Sequence, residues 1–242
     1  MNILTFETNE ELNQVGANII ASLVQTNPYS VLGLATGSTP IGIYQELIRQ
    51  YQNGLVSFKH VTSFNLDEYV GLPEGHQESY RTFMNNQLFN HIDIPVEQTH
   101  VPNGNAQDLL AECAHYDEMM STSKQVDMQL LGLGHNGHIG FNEPDDTLNG
   151  GTHLVELKEQ TREANARFFN SIDEVPTQAI TMGVGTILKA KMIMLVVRGK
   201  DKAAIVKRAL QGPITTDCPA SLLQTHSNVV VLLDKEAAGE LQ

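Results

Sequence analysis

Five short apolar runs constrain this chain more than anything else in it: Val31–Ala35, Val61–Leu66, Met128–Leu133, Met192–Val197 and Val229–Leu233. Several are apolar at nearly every position, as expected of parallel strands covered on both faces. Amphipathic stretches lie between them. Ile41, Tyr44, Leu47, Ile48 and Tyr51 recur at helical spacing, as do Leu109, Cys113, Tyr116 and Met120 within Asp108–Met120. Lys202–Leu210 is a third such stretch, stopped by Gly212 and Pro213. This alternation predicts an α/β fold, a doubly wound, mostly parallel sheet with helices on both faces. The 242 residues contain no Pro/Ser/Gly linker and no internal repeat, and are read as one domain over 1–242. In such sheets ligands sit just beyond the carboxyl ends of the strands, so the chemistry is sought in the residues just after each run.

Composition narrows the partners. A net charge of −13 argues against nucleic acid and anionic membranes. No apolar run approaches the ~20 residues needed to span a bilayer. The N-terminus, MNILTFETNE, lacks the basic and apolar regions of a secretory signal. Cys113 and Cys218 match no metal or redox spacing and are read as free thiols in a reducing cytosol. The expectation is a cytoplasmic protein acting on a small molecule; nothing in the sequence fixes its oligomeric state.

Three strand ends carry polar groups. After the first run comes LATGSTP, where Thr36, Gly37, Ser38 and Thr39 form a polar turn and Pro40 is placed at the first helical position. Free N–H groups at that helix start, with three hydroxyls, make a phosphate site. Capping accounts for one hydroxyl but not for the cluster. The second run leads into Asp67 and Glu68, and the strand-end rule aims Asp67, a candidate general base, at the same crevice. The third leads into GLGHNGHIGFNEP, Gly132 to Pro144. Gly132, Gly134 and Gly137 imitate a dinucleotide fingerprint, with Glu156 as its ribose-binding acid. That fingerprint requires an immediate helix, and Pro144 with two aspartates forbids one. His135, His138 and Glu143 lack the register of the familiar zinc motifs, so no metal is expected. The remaining reading is acid–base chemistry, with His138 carrying the proton and Glu143 or Asn136 orienting it. Lys200 and Lys202, after the fourth run, are candidate phosphate counter-charges. VGLPEGHQESY and the stretch from Asp145 to Thr161 are read as candidate lids.

These motifs resemble the glucosamine-6-phosphate deaminase family along essentially the whole chain: LATGSTP, NLDEYVGL, ESY, PNGN, GLGHNGHIGFNEP, TR-ANARFF, ITMGVGTIL and GKDKA, in that order. Sugar-phosphate lactonases share the fold and a similar phosphate loop, without both LDEY and GHIGFNEP. The resemblance implies conversion of glucosamine 6-phosphate and water to fructose 6-phosphate and ammonia, with no cofactor. It implies that Asp67 is the enolisation base and His138 the ring-opening histidine, flanked by Asn136 and Glu143. It also implies phosphate contacts from Thr36, Gly37, Ser38, Thr39, Arg167 and Lys202. Two departures stand out. Some relatives carry aspartate at the position of Asn136, and an amide cannot lend charge to the imidazole, which leaves that task to Glu143. Relatives activated by an N-acetylated sugar phosphate use basic residues after FNEP, whereas here no arginine or lysine appears until Lys158. No allosteric activation is expected.

Overall fold

A computed structural model describes residues 1–166, 169 and 171–241. Its strands are β1 (Asn2–Phe6), β2 (Val31–Leu34), β3 (Thr62–Asn65), β4 (Asp67–Tyr69), β5 (Thr99–His100), β6 (Met128–Leu131), β7 (His153–Glu156), β8 (Gln178–Thr181), β9 (Ile193–Val197) and β10 (Val229–Asp234). Its α-helices are α1 (Asn9–Thr26), α2 (Ile41–Gln52), α3 (Tyr80–Gln87), α4 (Leu109–Thr122), α5 (Glu159–Asn165), α6 (Val184–Ile187) and α7 (Ala203–Gln211). Seven strands form one sheet in the order β1-β10-β9-β6-β2-β3-β5, every neighbouring pair parallel.

Both faces of this sheet are covered. Every residue of β2, β6 and β9 is buried, although successive side chains point to opposite faces. A Cβ added to Gly16 of α1 would lie 2.8 Å from Ile43 of α2 and 3.3 Å from Leu232 of β10, so α1 packs on that face. Tyr116 of α4 meets Phe64 of β3 edge-on at 5.8 Å, and the strand register puts Phe64 on the other face from Leu232. From β2 the chain moves outward to β3 and β5, then returns to the opposite side of β2 and continues through β6, β9 and β10. The order reverses between β2 and β6, which opens a crevice beyond their carboxyl ends.

Each of the five apolar runs contains a strand of the large sheet, and the three amphipathic stretches are α2, α4 and α7. Helix α4 opens at Asp108, whose carboxylate accepts from the N–H groups of Leu110 and Ala111. Pro40 is the cap residue of α2 rather than its first helical residue. Residues 132–152 contain no helix, as Pro144 and its neighbours require. Three features were not anticipated. Strand β1 is an edge strand exposed over most of its length, so it lacks a buried apolar run. Helix α1 begins with a capping box between Thr8 and Glu11. A second, antiparallel sheet, β4-β8-β7, branches off directly after Leu66 and pairs Asp67 with Thr181. Among the described residues no helix is long and apolar enough to cross a membrane.

Asp127, 6% exposed, fastens the amino-terminal edge of the large sheet. One carboxylate oxygen accepts from the Val31 N–H at 2.8 Å and the other from Lys191 Nζ at 2.7 Å. Asp127→Ala leaves a buried N–H without a partner and should cost about 2–3 kcal/mol. Urea unfolding checks this, with a smaller loss expected for Asp127→Asn.

Candidate active site

A cavity of about 800 Å³ opens at the carboxyl edge of the large sheet, lined by the segments that follow β2, β3, β6 and β9. Thr36–Thr39 form one wall. Gly37 has φ +88°, a left-handed conformation that favours glycine. The cap of α2 uses no side-chain hydrogen bond. The hydroxyls of Thr36, Ser38 and Thr39 have no partner among the described residues, so capping does not consume them. The free N–H groups of the first α2 turn stand beside them.

The two adjacent carboxylates of β4 separate, because neighbouring residues on a strand face opposite ways. Glu68 turns away from the cavity and accepts from the N–H groups of Tyr69, Tyr80 and Arg81 at 2.8–2.9 Å, which caps the start of α3. Asp67 lines the cavity. It is 7% exposed, and its carboxylate accepts no hydrogen bond among the described residues. Burial first, and the charge of Glu68 second, push it up to about 8. The loop that carries His138 abuts it: a Cβ on Gly140 would lie 3.6 Å from Asp67 Oδ2.

His138 belongs to a three-residue relay. Its Nδ1 meets Asn136 Oδ1 at 2.7 Å. The Asn136 amide nitrogen donates to Glu143 Oε2, which also lies 3.5 Å from His138 Nδ1. The Thr161 hydroxyl donates to the other oxygen of Glu143. A carboxylate only accepts, so it orients the Asn136 amide, whose oxygen then faces the ring. That arrangement keeps the proton on Nδ1 and leaves Nε2 as the free ring nitrogen. Burial pushes Glu143 up, but the His138 hydrogen bond and charge and the Thr161 and Asn136 donors outweigh it and bring it to about 2. The ring rests on Gly134, where a Cβ would stand 2.3 Å from two ring atoms.

Lys202 enters the cavity with Nζ bonded to the Leu133 carbonyl at 2.7 Å. Burial brings it down to about 8, against the opposing charge of Asp201. Lys200 is exposed and does not line the cavity. Arg167 lies outside the described residues. The two histidines of the glycine run diverge, His135 pairing with Asp201 at 2.6 Å while His138 turns to Asn136. Among the described residues no group of three His, Cys, Asp or Glu side chains is placed to hold a metal. Glu156 is exposed on β7 and bonds Gln178.

Of the two lid candidates, the first supplies Gln77, Glu78 and Tyr80 to the cavity and the second supplies Thr161 at its end. Thr161 opens the TR-ANARFF motif, but nothing in the sequence marks it as the partner of Glu143. Sequence reading also missed an aromatic wall of Tyr69, Tyr80, Phe141 and Phe169, packed into a small core of its own. Arg198, a further lining residue, went unremarked beside Lys200 and Lys202.

A doubly wound parallel sheet with a hydroxyl-rich turn, a buried carboxyl and a hydrogen-bonded imidazole at its switch point defines the class of α/β proteins that hold small ligands beyond their strand ends. The sequence model of the glucosamine-6-phosphate isomerase/6-phosphogluconolactonase family matches residues 7–232, and the chain belongs to that family. The glucosamine-6-phosphate deaminase of Clostridium perfringens (strain 13 / Type A) is 53% identical over 238 residues, 98% of each chain. The solved structure of a monomeric glucosamine-6-phosphate deaminase superposes with a TM-score of 0.96 at 50% identity, covering 99% of this chain and 100% of that one. The 6-phosphogluconolactonase of Trypanosoma brucei shares the fold, with a TM-score of 0.77 at 20% identity, over 100% of this chain and 98% of that one.

Gly134→Ala places a methyl group where the imidazole lies. Displacing that ring by about 1 Å should lower kcat by about 10²-fold. Steady-state kinetics check this, with circular dichroism to confirm that the fold is kept.

Proposed function

We propose that this protein converts glucosamine 6-phosphate and water to fructose 6-phosphate and ammonia in amino-sugar catabolism. The observation that carries the reading is the meeting of three groups in one cavity: the unbonded carboxyl of Asp67, the free Nε2 of His138 and the Thr36–Thr39 turn with Lys202. The relatives of about 50% identity named above support the same reaction.

The phosphate seats on the Thr36–Thr39 turn, with Lys202 and Arg167 as counter-charges, and binding energy there orients C1 and C2. His138 Nε2 takes the proton of the anomeric hydroxyl and passes it to the ring oxygen, which opens the sugar. Asp67 removes the proton at C2 to give an enolamine, then returns it at C1, leaving an imine at C2. Water adds to that carbon and ammonia departs. Asp67 must be ionised to start. Its raised pKa makes it a strong base, and the substrate's own ammonium group beside it favours the ionised form. The two free thiols accord with a cytoplasmic setting.

Asp67→Asn should lower kcat by about 10²–10⁴-fold in a coupled ammonia assay, while binding of the substrate persists. In the parent protein, kcat/KM should rise with pH towards about 8 as Asp67 loses its proton, then fall above about 8 as Lys202 loses its charge. Lys202→Arg, which stays charged, should remove the alkaline limb.

The segment after FNEP offers no arginine or lysine before Lys158, so the enzyme works without an activator. Substrate saturation should be hyperbolic, and N-acetylglucosamine 6-phosphate should leave its shape unchanged.

A further inference from the structure

We infer that Arg198 is a positioning residue for the substrate's phosphate, a further fixed cation set behind the Thr36–Thr39 turn. The inference rests on the deaminase reading above and extends it to a residue in none of the motifs that carry the resemblance. Arg198 follows the last residue of β9, at the carboxyl edge of the sheet, and lines the cavity. Its Nη2 donates to Asn13 Oδ1 of α1. Asn13 in turn fits against the first turn of α2, because a Cβ on Gly42 would lie 2.1 Å from its amide nitrogen. The guanidinium is thereby tethered beneath the helix start that presents free N–H groups to the cavity.

Among the described residues its charge has no close partner. No carboxylate among the described residues forms an ion pair with it. Asp234, whose field it feels, gives its two oxygens to the N–H groups of Gly199 at 2.9 Å and Ala237 at 2.7 Å. Arg198 Nε is buried with no hydrogen-bond partner. A half-buried guanidinium without a counter-ion is costly, and an anion in the cavity offsets that cost. A phosphate monoester carries about −1.5 to −2 charges near pH 7. Lys202 reaches the cavity from the β6 side, bonded to Leu133. Arg198 approaches from behind α2 and adds its positive charge to those of Lys202 and Arg167.

The test uses the full chain and two readouts. Binding of inorganic phosphate, followed by calorimetric titration, needs no turnover; kcat and KM are taken from the ammonia assay. Arg198→Met should weaken phosphate binding and raise KM by about tenfold each, with kcat changing much less. Arg198→Lys, which keeps the charge, should recover most of the loss. Asn13→Asp sets a carboxylate of the same size against the guanidinium and neutralises it, and should also weaken phosphate binding by about tenfold. A merely structural Arg198 would leave phosphate affinity unmoved in Asn13→Asp. Parental phosphate affinity in folded Arg198→Met, or in Asn13→Asp should Arg198→Met not fold, overturns the inference. A parent that binds phosphate but releases no ammonia would sink the deaminase reading and leave the role of Arg198 to be decided by the variants.

Discussion

The polar groups that line the cavity of this molecule meet because the strand order of its large sheet reverses between β2 and β6. Parallel strands deliver all their carboxyl ends to one edge, and the reversal parts the connections there. The segments after β2, β3, β6 and β9 fill that gap with a hydroxyl-rich turn, a carboxyl, an imidazole and cations. Residues far apart in the chain, from Thr36 to Lys202, thus come to line one cavity. The antiparallel β4-β8-β7 sheet completes the arrangement. It pairs Asp67 with Thr181, whose hydroxyl accepts from the Phe141 N–H at 3.1 Å and holds the loop carrying His138 against the same strand.

Within the site, what a group cannot do proves as informative as what it can. Glu143 has no proton to give, so Asn136 must face it with its amide nitrogen and face His138 with its oxygen. Two steps of that logic set the tautomer of the ring. Gly134 has no side chain, which gives the ring its seat. Asp67 has no hydrogen-bond donor among the described residues, and that leaves its lone pairs free while burial raises its basicity.

How much of this was legible in the sequence depends on burial and on alternation. Of the five strands at the centre of the sheet, β2, β9 and β10 were the most readable, because both faces are covered and nearly every position is apolar, while β3 (TSFN) buries Ser63 and Asn65 and was marked mainly by the apolar residues flanking it. Strand β1 is an exposed edge and bears no such mark. Helix α1 did leave a signal, the Thr8–Glu11 capping box before Leu12, Ala17, Ile20 and Val24, but it precedes the first apolar run. The motif residues of the cavity were legible because glycine, histidine and hydroxyl-rich turns are unusual after strands. The division of labour between Asp67 and Glu68 was not read, although the twofold alternation of a strand contains it. Thr161 and the aromatic wall reach the cavity through tertiary packing, which no local pattern records. The same is true of Arg198, which resembles any residue at the end of a strand until its partners are known.

The burial of Asp67 also ties the fold to acidity. An unperturbed aspartate releases its proton near 3.8, while this one keeps it up to about 8. Across that interval the native chain grips a proton that the unfolded chain lets go. Linkage then fixes the sign: this carboxyl favours the native state most below 3.8, and its contribution drains away as pH climbs towards about 8. The alkalinity that ionises Asp67 is therefore the alkalinity that loosens the molecule around it.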